Sequence, residues 1–245
     1  EMGALDMLSP QSNVMSLLKK LRGSSKPSSE SGEKKMRMLR RLPKILKFIP
    51  GKSQDLRAWF LAMQYWLGGT DENIESMLRF LISRYSRVEG WRGCKTEMPK
   101  DYPDVGLYHP DSKGKIVDSI EDLPKLESPV GTIGILLMRS YVLSGDTAHY
   151  DAVIKRFAEN NIQVIPAFSG GLDARPAIEK YFKNPEKPLI DGLLSLTGFS
   201  LVGGPAYNDS EAAVSVLREL NLPYVAAHPL EFQTLSQWSG SSGGL

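Results

Sequence analysis

Cysteine is almost missing from this chain. Cys94 is the only one in 245 residues, which excludes an intrachain disulfide and a cysteine-ligated zinc cluster. A lone thiol fits a reducing compartment. Long hydrophobic runs are also missing. None reaches the roughly 18 residues that a membrane-spanning helix needs, and TIGILLM at 132–138 has the length of a strand. Neither GxGxxG nor a phosphate-binding P-loop is present, so the glycines of TGFSLVGGP (197–205) carry no nucleotide signature. No secretory or transit pattern opens the chain. It begins on Glu1 and trails off through residues 239–245, and we expect an internal piece of a longer protein.

What is present is ordinary for a soluble globular protein, with 41% hydrophobic and 24% charged residues. The net charge of +2 hides an asymmetry. Residues 1–57 hold 13 Lys/Arg against 5 Asp/Glu, and residues 58–245 hold 17 against 23. Such an imbalance points the first part toward an anionic partner or surface. The run at 33–48, EKKMRMLRRLPKILKF, spaces Met38, Leu42, Ile45 and Ile49 as a helix face, with Pro43 as a kink or break. Few aromatics interleave with its basic residues, so we expect no nucleic-acid binding; peripheral contact with an anionic membrane stays open.

Periodicity divides the chain into a basic helical module at 1–90, an irregular connector at 91–127 and an α/β module at 128–245. In the first, 15–22 is a short basic-amphipathic stretch and helices are expected at 33–48, 54–67 and 71–85, with a polar loop at 23–32. Trp59 and Trp66 share a helix face, where packing between helices is favoured over a flat ligand. The connector is turn-rich, with a short strand expected at 105–108. His109, in a turn, is expected to be exposed. In the α/β module, apolar runs at 132–138, 162–168, 190–196 and 224–227 alternate with helical patterns at 147–159, 174–182 and 209–220. A further helix begins at 234–238. This alternation predicts right-handed crossovers and a four-stranded parallel, doubly wound sheet of flavodoxin-like or Rossmann-like type.

Ligands of such sheets bind outside the carboxyl ends of the strands. Those ends lead into the loops 139–146, 169–173, 197–205 and 228–233. We therefore expect Asp146, His149, Asp173, His228 and Glu231 along one rim, suited to acid/base work or to a hard cation. His228 and Glu231 are the catalytic candidates. Asp146, His149, Asp173, Phe199 and Gln233 are the ligand-binding candidates, and no metal ligand is assigned. The bland alternatives are helix caps for Asp146 and Asp173, a surface position for His149, and core packing for Phe199 with Leu201. Cys94 has basic neighbours but no base beside it. The triplet Asn208-Asp209-Ser210 matches a glycosylation site without a secretory context.

Five long stretches carry a resemblance. They are LPKILKFIPGKSQDLRAWFLAMQYWLGGTDENIESMLRFL (42–81), PVGTIGILLMRSYVLSGDTAHYDAVI (129–154), IPAFSGGLDARPAIEKYF (165–182), LSLTGFSLVGGPAYNDSEAA (194–213) and PYVAAHPLEFQTLSQW (223–238). In that order they resemble the amino-terminal part of the large H subunits of magnesium chelatases, with wording closer to the bacteriochlorophyll-pathway branch than to the plant branch. The resemblance implies a porphyrin-binding subunit that inserts Mg2+ into protoporphyrin IX, both as substrates, in chlorophyll or bacteriochlorophyll synthesis. It implies two smaller partners, an AAA+ ATPase and an integrin-like subunit, with ATP bound by the partners and not by this chain. It implies a bacterial cytoplasm, or alternatively a plastid stroma. The related cobalt chelatase large subunit, acting on a corrin precursor, is the alternative within the family. A non-catalytic docking or ligand-sensing module is the alternative outside it. No catalytic residue is carried over from the family, and the basic helix at 33–48 is a candidate for propionates or an acidic partner.

Overall fold

The structure is a computed structural model, and it describes residues 53–185, 187–204, 207–228, 230 and 233–242. The amphipathic stretch at 15–22 and the helix expected at 33–48 lie outside the described residues. The chain forms two compact units, Glu1–Tyr102 and Pro103–Leu245.

In the first unit, α1 (Ser53–Gly68) and α2 (Asp71–Tyr85) are packed against each other. Thr70 caps α2 by accepting a bond from the Asn73 N–H at 3.3 Å. The Asn73 carboxamide then holds an extended stretch: its Nδ2 donates to Lys100 O at 3.0 Å, and its Oδ1 accepts from Lys100 N at 2.9 Å. Tyr65 Oη donates to the Glu97 carbonyl nearby. The apolar residues of α1 divide between two faces. Leu56, Phe60, Leu61 and Tyr65 are buried, while Trp59, Met63 and Trp66 stay exposed.

The second unit is built on one six-stranded sheet. Its strands are β1 (Val105–Tyr108), β2 (Ile116–Val117), β3 (Gly131–Met138), β4 (Ile162–Ser169), β5 (Gly192–Ser195) and β8 (Tyr224–Ala226), in the order β2-β1-β4-β3-β5-β8. A separate ribbon pairs β6 (Gly203–Gly204) with β7 (Tyr207–Asn208). The helices are α3 (Arg139–Ser144), α4 (Ala148–Glu159), α5 (Arg175–Tyr181), α6 (Ser210–Leu220) and α7 (Leu235–Gly240). Strands β4, β3, β5 and β8 run parallel, and β1 and β2 add antiparallel pairs at one edge. The expected four-stranded parallel sheet is therefore corrected to a six-stranded mixed one. The extra strands come from the stretch read as a connector. VGLY is the short strand expected at 105–108, and it joins the sheet by pairing with β4; its two-residue partner β2 is too short for periodicity to show and is fixed by pairing with β1. His109 also departs from expectation. It is 7% exposed, because its N–H donates to Lys115 O and its Nδ1 accepts from Asp111 N inside the β1–β2 turn.

Alternation along the central strands sorts the core. Ile135 and Leu137 of β3, with Val164 and Phe168 of β4, pack against Tyr150 and Ile154 of α4 on one face. Leu136, Ile165, Ala167 and Leu193 pack against Ala177 and Ile178 of α5 on the other, with Ala212, Ala213 and Val216 of α6 beside them. Helices thus cover both faces, as a doubly wound unit requires. Gly134 of β3 matters for packing: a Cβ there would lie 2.8 Å from Ile190 Cδ1 and 3.1 Å from Phe182 Cζ.

Candidate ligand cleft at the carboxyl edge of the sheet

The crossovers decide where a cleft opens. The chain leaves β3, passes through α4 on one face and enters β4. It then crosses back over β3, through α5 on the opposite face, to reach β5. The connections from neighbouring β3 and β5 therefore diverge, and a crevice forms at their carboxyl ends. A cleft of about 360 Å³ including its mouth lies at this edge, with an inner part of about 20 Å³. Its floor is Leu136–Met138 of β3, and its sides are the loops after β4 and β5.

Side-chain parity brings hydroxyls to it. Ser169 is in register with Met138, and Ser195 with Leu136. Counting by twos from Ala167 and Leu193, both serines point to the face carrying α5 and α6. Ser169 is 8% exposed and Ser195 is 2% exposed. Ser195 Oγ and Thr197 Oγ1 lie 3.0 Å apart, and Thr197 Oγ1 accepts from the Phe199 N–H at 3.3 Å. The loop after β4 turns through Gly171, whose φ of 78° suits glycine. It delivers Asp173, whose carboxylate accepts from Arg175 Nε at 2.9 Å, from Arg175 Nη2 at 2.5 Å and from the Arg175 N–H at 3.0 Å. This fork fixes the loop where it enters α5.

Of the seven candidates from sequence, the cleft unites two, Asp173 and Phe199. Phe199 is 41% exposed at the loop tip, while Leu201 alone of that pair joins the core. Asp146 is exposed beyond α3, which occupies most of the expected loop 139–146. Thr147, not Asp146, holds the cap position of α4, and its hydroxyl hydrogen-bonds Tyr108 Oη instead of capping the helix. His149 is exposed on α4, its ring 3.9 Å from the Tyr150 ring centroid and 5.4 Å from that of Tyr141. His228 is exposed after β8, Gln233 is half-buried before α7, and Glu231 lies outside the described residues. None of the described four lines the cleft. Ser169, Ser195 and Thr197 are not among the residues the sequence singles out. The signal that would find them is strand parity with Leu136, carried past the ends of the apolar runs. Among the described residues, no three His, Cys, Asp or Glu side chains come together to hold a metal ion, and no helix is long and apolar enough to cross a membrane.

Comparison with known proteins places the chain. The family model described as CobN/magnesium chelatase matches residues 63–245. This chain belongs to the CobN/magnesium chelatase family. A second model, described only as a domain of unknown function, matches residues 1–60. The magnesium-chelatase H subunit of Rhodobacter capsulatus is 61% identical over 245 residues, covering 100% of this chain and 20% of that protein. The chloroplastic ChlH subunit of magnesium chelatase from Oryza sativa subsp. japonica is 36% identical over 234 residues, covering 90% of this chain and 17% of its own length. Among solved structures, the catalytic subunit of cobaltochelatase from Mycobacterium tuberculosis aligns with a TM-score of 0.47 at 18% identity, over 77% of this chain and 15% of that one. The chain spans about a fifth of the length of the first of these relatives.

Proposed function

We propose that this chain is part of the porphyrin-binding large subunit of a magnesium chelatase of the bacteriochlorophyll branch. The subunit inserts Mg2+ into protoporphyrin IX, within a complex whose smaller AAA+ and integrin-like subunits bind and hydrolyse ATP. We place it in a bacterial cytoplasm. The observation that carries this reading is the 61% identity, sustained over the whole chain, to a protein named as that subunit.

The chemistry divides into three tasks. Mg2+ sheds its water reluctantly and prefers oxygen ligands. Two pyrrole N–H protons must leave the macrocycle for a base. A flat apolar ring must be held in a cleft while cations meet its carboxylates. The doubly wound unit contributes to the holding task, with the basic stretch 33–48 as the candidate for the carboxylates. His228, exposed on the loop after β8, and Glu231, three residues on, are the candidates for taking the pyrrole protons. Asp146, His149 and Gln233 stay as candidates for ligand contact outside the cleft. The α/β module expected to begin near residue 128 becomes, in this proposal, a ligand-holding unit that starts at Pro103 and takes in β1 and β2.

The test grafts this 245-residue segment into the Rhodobacter capsulatus protein in place of its counterpart. The chimera is then assayed with the partner subunits, ATP, Mg2+ and a soluble protoporphyrin analogue. Mg2+ insertion at a rate near that of the parent supports the reading. A folded chimera that inserts cobalt but not magnesium, or neither, overturns it. In the working chimera, His228→Ala and Glu231→Gln should lower kcat and leave porphyrin affinity in place.

A further inference from the structure

The sheet is open at β8. Among the described residues this strand pairs only with β5. The Leu193 N–H donates to Pro223 O, and the Ala227 N–H donates to Ser195 O. Main-chain groups alternate sides along a strand, so the N–H and C=O groups of Tyr224 and Ala226 turn outward, away from β5. The sequence of β8, YVA, carries none of the charges that guard many edge strands. One face beside this edge is also uncovered. Helices α5 and α6 pack on one side of the sheet and α4 on the other. Leu194, in register with Val225, lies on the α4 side with Leu196. Both leucines are only partly buried, and Val225 is 59% exposed. Strands of a parallel sheet are ordinarily buried on both faces. Helix α7, which follows β8, leaves Leu235 and Trp238 exposed as well, three residues apart on one helix face.

Handedness selects the occupant. The chain steps from β5 to β8 through α6, on the α5 side. A further step outward in the same direction keeps its right hand only through that same side. Such a crossover leaves Val225 uncovered. Cover for the α4 side must come from a helix that follows the further strand, where the chain turns back over the sheet. A second copy joined edge to edge would bring only its own β8 and leave Leu194 and Leu196 open. This chain covers 20% of the Rhodobacter capsulatus relative, so a protein of that kind has ample length for another unit outside the matched part. We propose that the β8 edge is an interaction surface for a further strand–helix unit of the same longer polypeptide. The strand lies parallel to β8 and takes the outward groups of Tyr224 and Ala226. The helix lies beside α4 and covers Leu194, Leu196 and Val225. This surface does not depend on which metal the longer protein inserts.

Hydrogen exchange reads the strand and thiol labelling reads the helix, both without partner subunits. The 245-residue chain is compared with the folded Rhodobacter capsulatus chimera that carries it. In the chain, the amides of Tyr224 and Ala226 should exchange as open groups, while those of Ile135 and Leu136 in β3 stay protected in both proteins. In the chimera, the Tyr224 and Ala226 amides should exchange at least about tenfold more slowly. Val225→Cys in the chain should react with a maleimide within about threefold of the rate of Cys94, an exposed thiol. The same substitution in the chimera should react at least about tenfold more slowly, each rate being taken relative to the unfolded protein. A folded chimera that inserts no Mg2+ still reads both signals, so failure of the chelatase reading and failure of this proposal are distinguishable. The proposal is overturned if the two amides exchange equally in both proteins or if Val225→Cys reacts equally fast in both. It is also overturned if the 245-residue chain dimerises and already protects these amides, which makes a second copy the occupant.

Discussion

Tyr108 is the joint between strand β1 and the first turn of α4, and replacing it with Phe separates its bond from its bulk. Its ring is 1% exposed. Its Oη donates to Asp151 Oδ1 at 2.6 Å and hydrogen-bonds Thr147 Oγ1 at 2.8 Å. Phe fills the same space, so no cavity opens. The loss is a bond to a charged acceptor, about 1.5–3 kcal/mol. Asp151 is half-buried and keeps Thr147 Oγ1 at 3.4 Å, which puts the expected cost at the lower end, about 2 kcal/mol. A unit of roughly 140 residues has an unfolding entropy near 0.3 kcal/mol/K, so Tm should fall by about 7 °C at pH 7. A second signature is specific to the phenol. Burial, then the bond to Asp151, pushes Tyr108 up to about 12, against about 10 in an unfolded chain. Between those values the native state keeps a proton that the unfolded state loses, so this group's contribution to stability falls as pH rises through that window. Tyr108→Phe lacks that loss. Calorimetry at pH 7, 9, 10 and 11 should show the gap between the two proteins constant up to pH 9 and narrowing above 10. A drop below 1 °C at pH 7, or a gap that does not narrow, would refute the reasoning.

Burial lowers the His109 pKa, the nearby Asp111 and Asp151 charges opposing it only in part, so the unfolded chain takes up a proton near pH 6.5 before the native one does; stability from this group is complete above that value and declines as pH falls below it. His109→Asn keeps an acceptor for the Asp111 N–H and removes the titration, so its Tm should vary less between pH 7 and 5 than the parent's in thermal scans. Gly134→Ala should cost about 1–3 kcal/mol by overpacking against Ile190 and Phe182, and Ile190→Val in the same chain should recover part of it, a coupling that chemical denaturation of the double-mutant cycle measures. Asn73→Ala breaks both bonds to the Lys100 backbone, a loss of about 1–2 kcal/mol. Trypsin should then cleave after Lys95 or Lys100 at least about fivefold faster, with the second unit's fragments appearing at the parent's rate.

The parallel strands are legible because burial on both faces writes a continuous apolar run. TIGILLM, IQVIPAF, IDGLLSL and YVAA each contain or abut a strand of the sheet, and the turn at Gly145 and the cap at Asp209 bound the helices between. Strand β1 is legible as a short run at 105–108, but not its place in the sheet: Gly106, whose lack of a side chain makes room for the Phe168 ring, shows its meaning only once β1 lies beside β4. Local composition is silent where an element exists only through its partner. Strand β2 is two residues in a polar turn. His109 escapes the sequence for the same reason: the turn around it is visible, and the bonds to Lys115 O and Asp111 N that fold the turn over it are not. The stripe on α1 shows the limit of periodicity, which marks apolar positions without saying which of two adjacent faces is covered. Phe60 is buried and Trp66 is not.

The position of the cleft follows from the order of crossovers. A chain that goes from β3 to β4 and then back across β3 to β5 must send its helices to opposite faces if both crossovers are right-handed. The gap at the β3–β5 carboxyl ends is then a topological necessity, within reach of the sequence once four strands are placed in order. What fills the gap is not within reach. Asp173 and Phe199 stand out because a carboxylate and an aromatic ring advertise chemistry, whereas Ser169 and Ser195 look like the fading end of a strand. Their significance arises from register: Met138 opposite Ser169 and Leu136 opposite Ser195 turn two unremarkable hydroxyls into the polar ends of one apolar slot. A residue whose place on a cleft wall is set by pairing between strands can be recognised only after the sheet has been assembled.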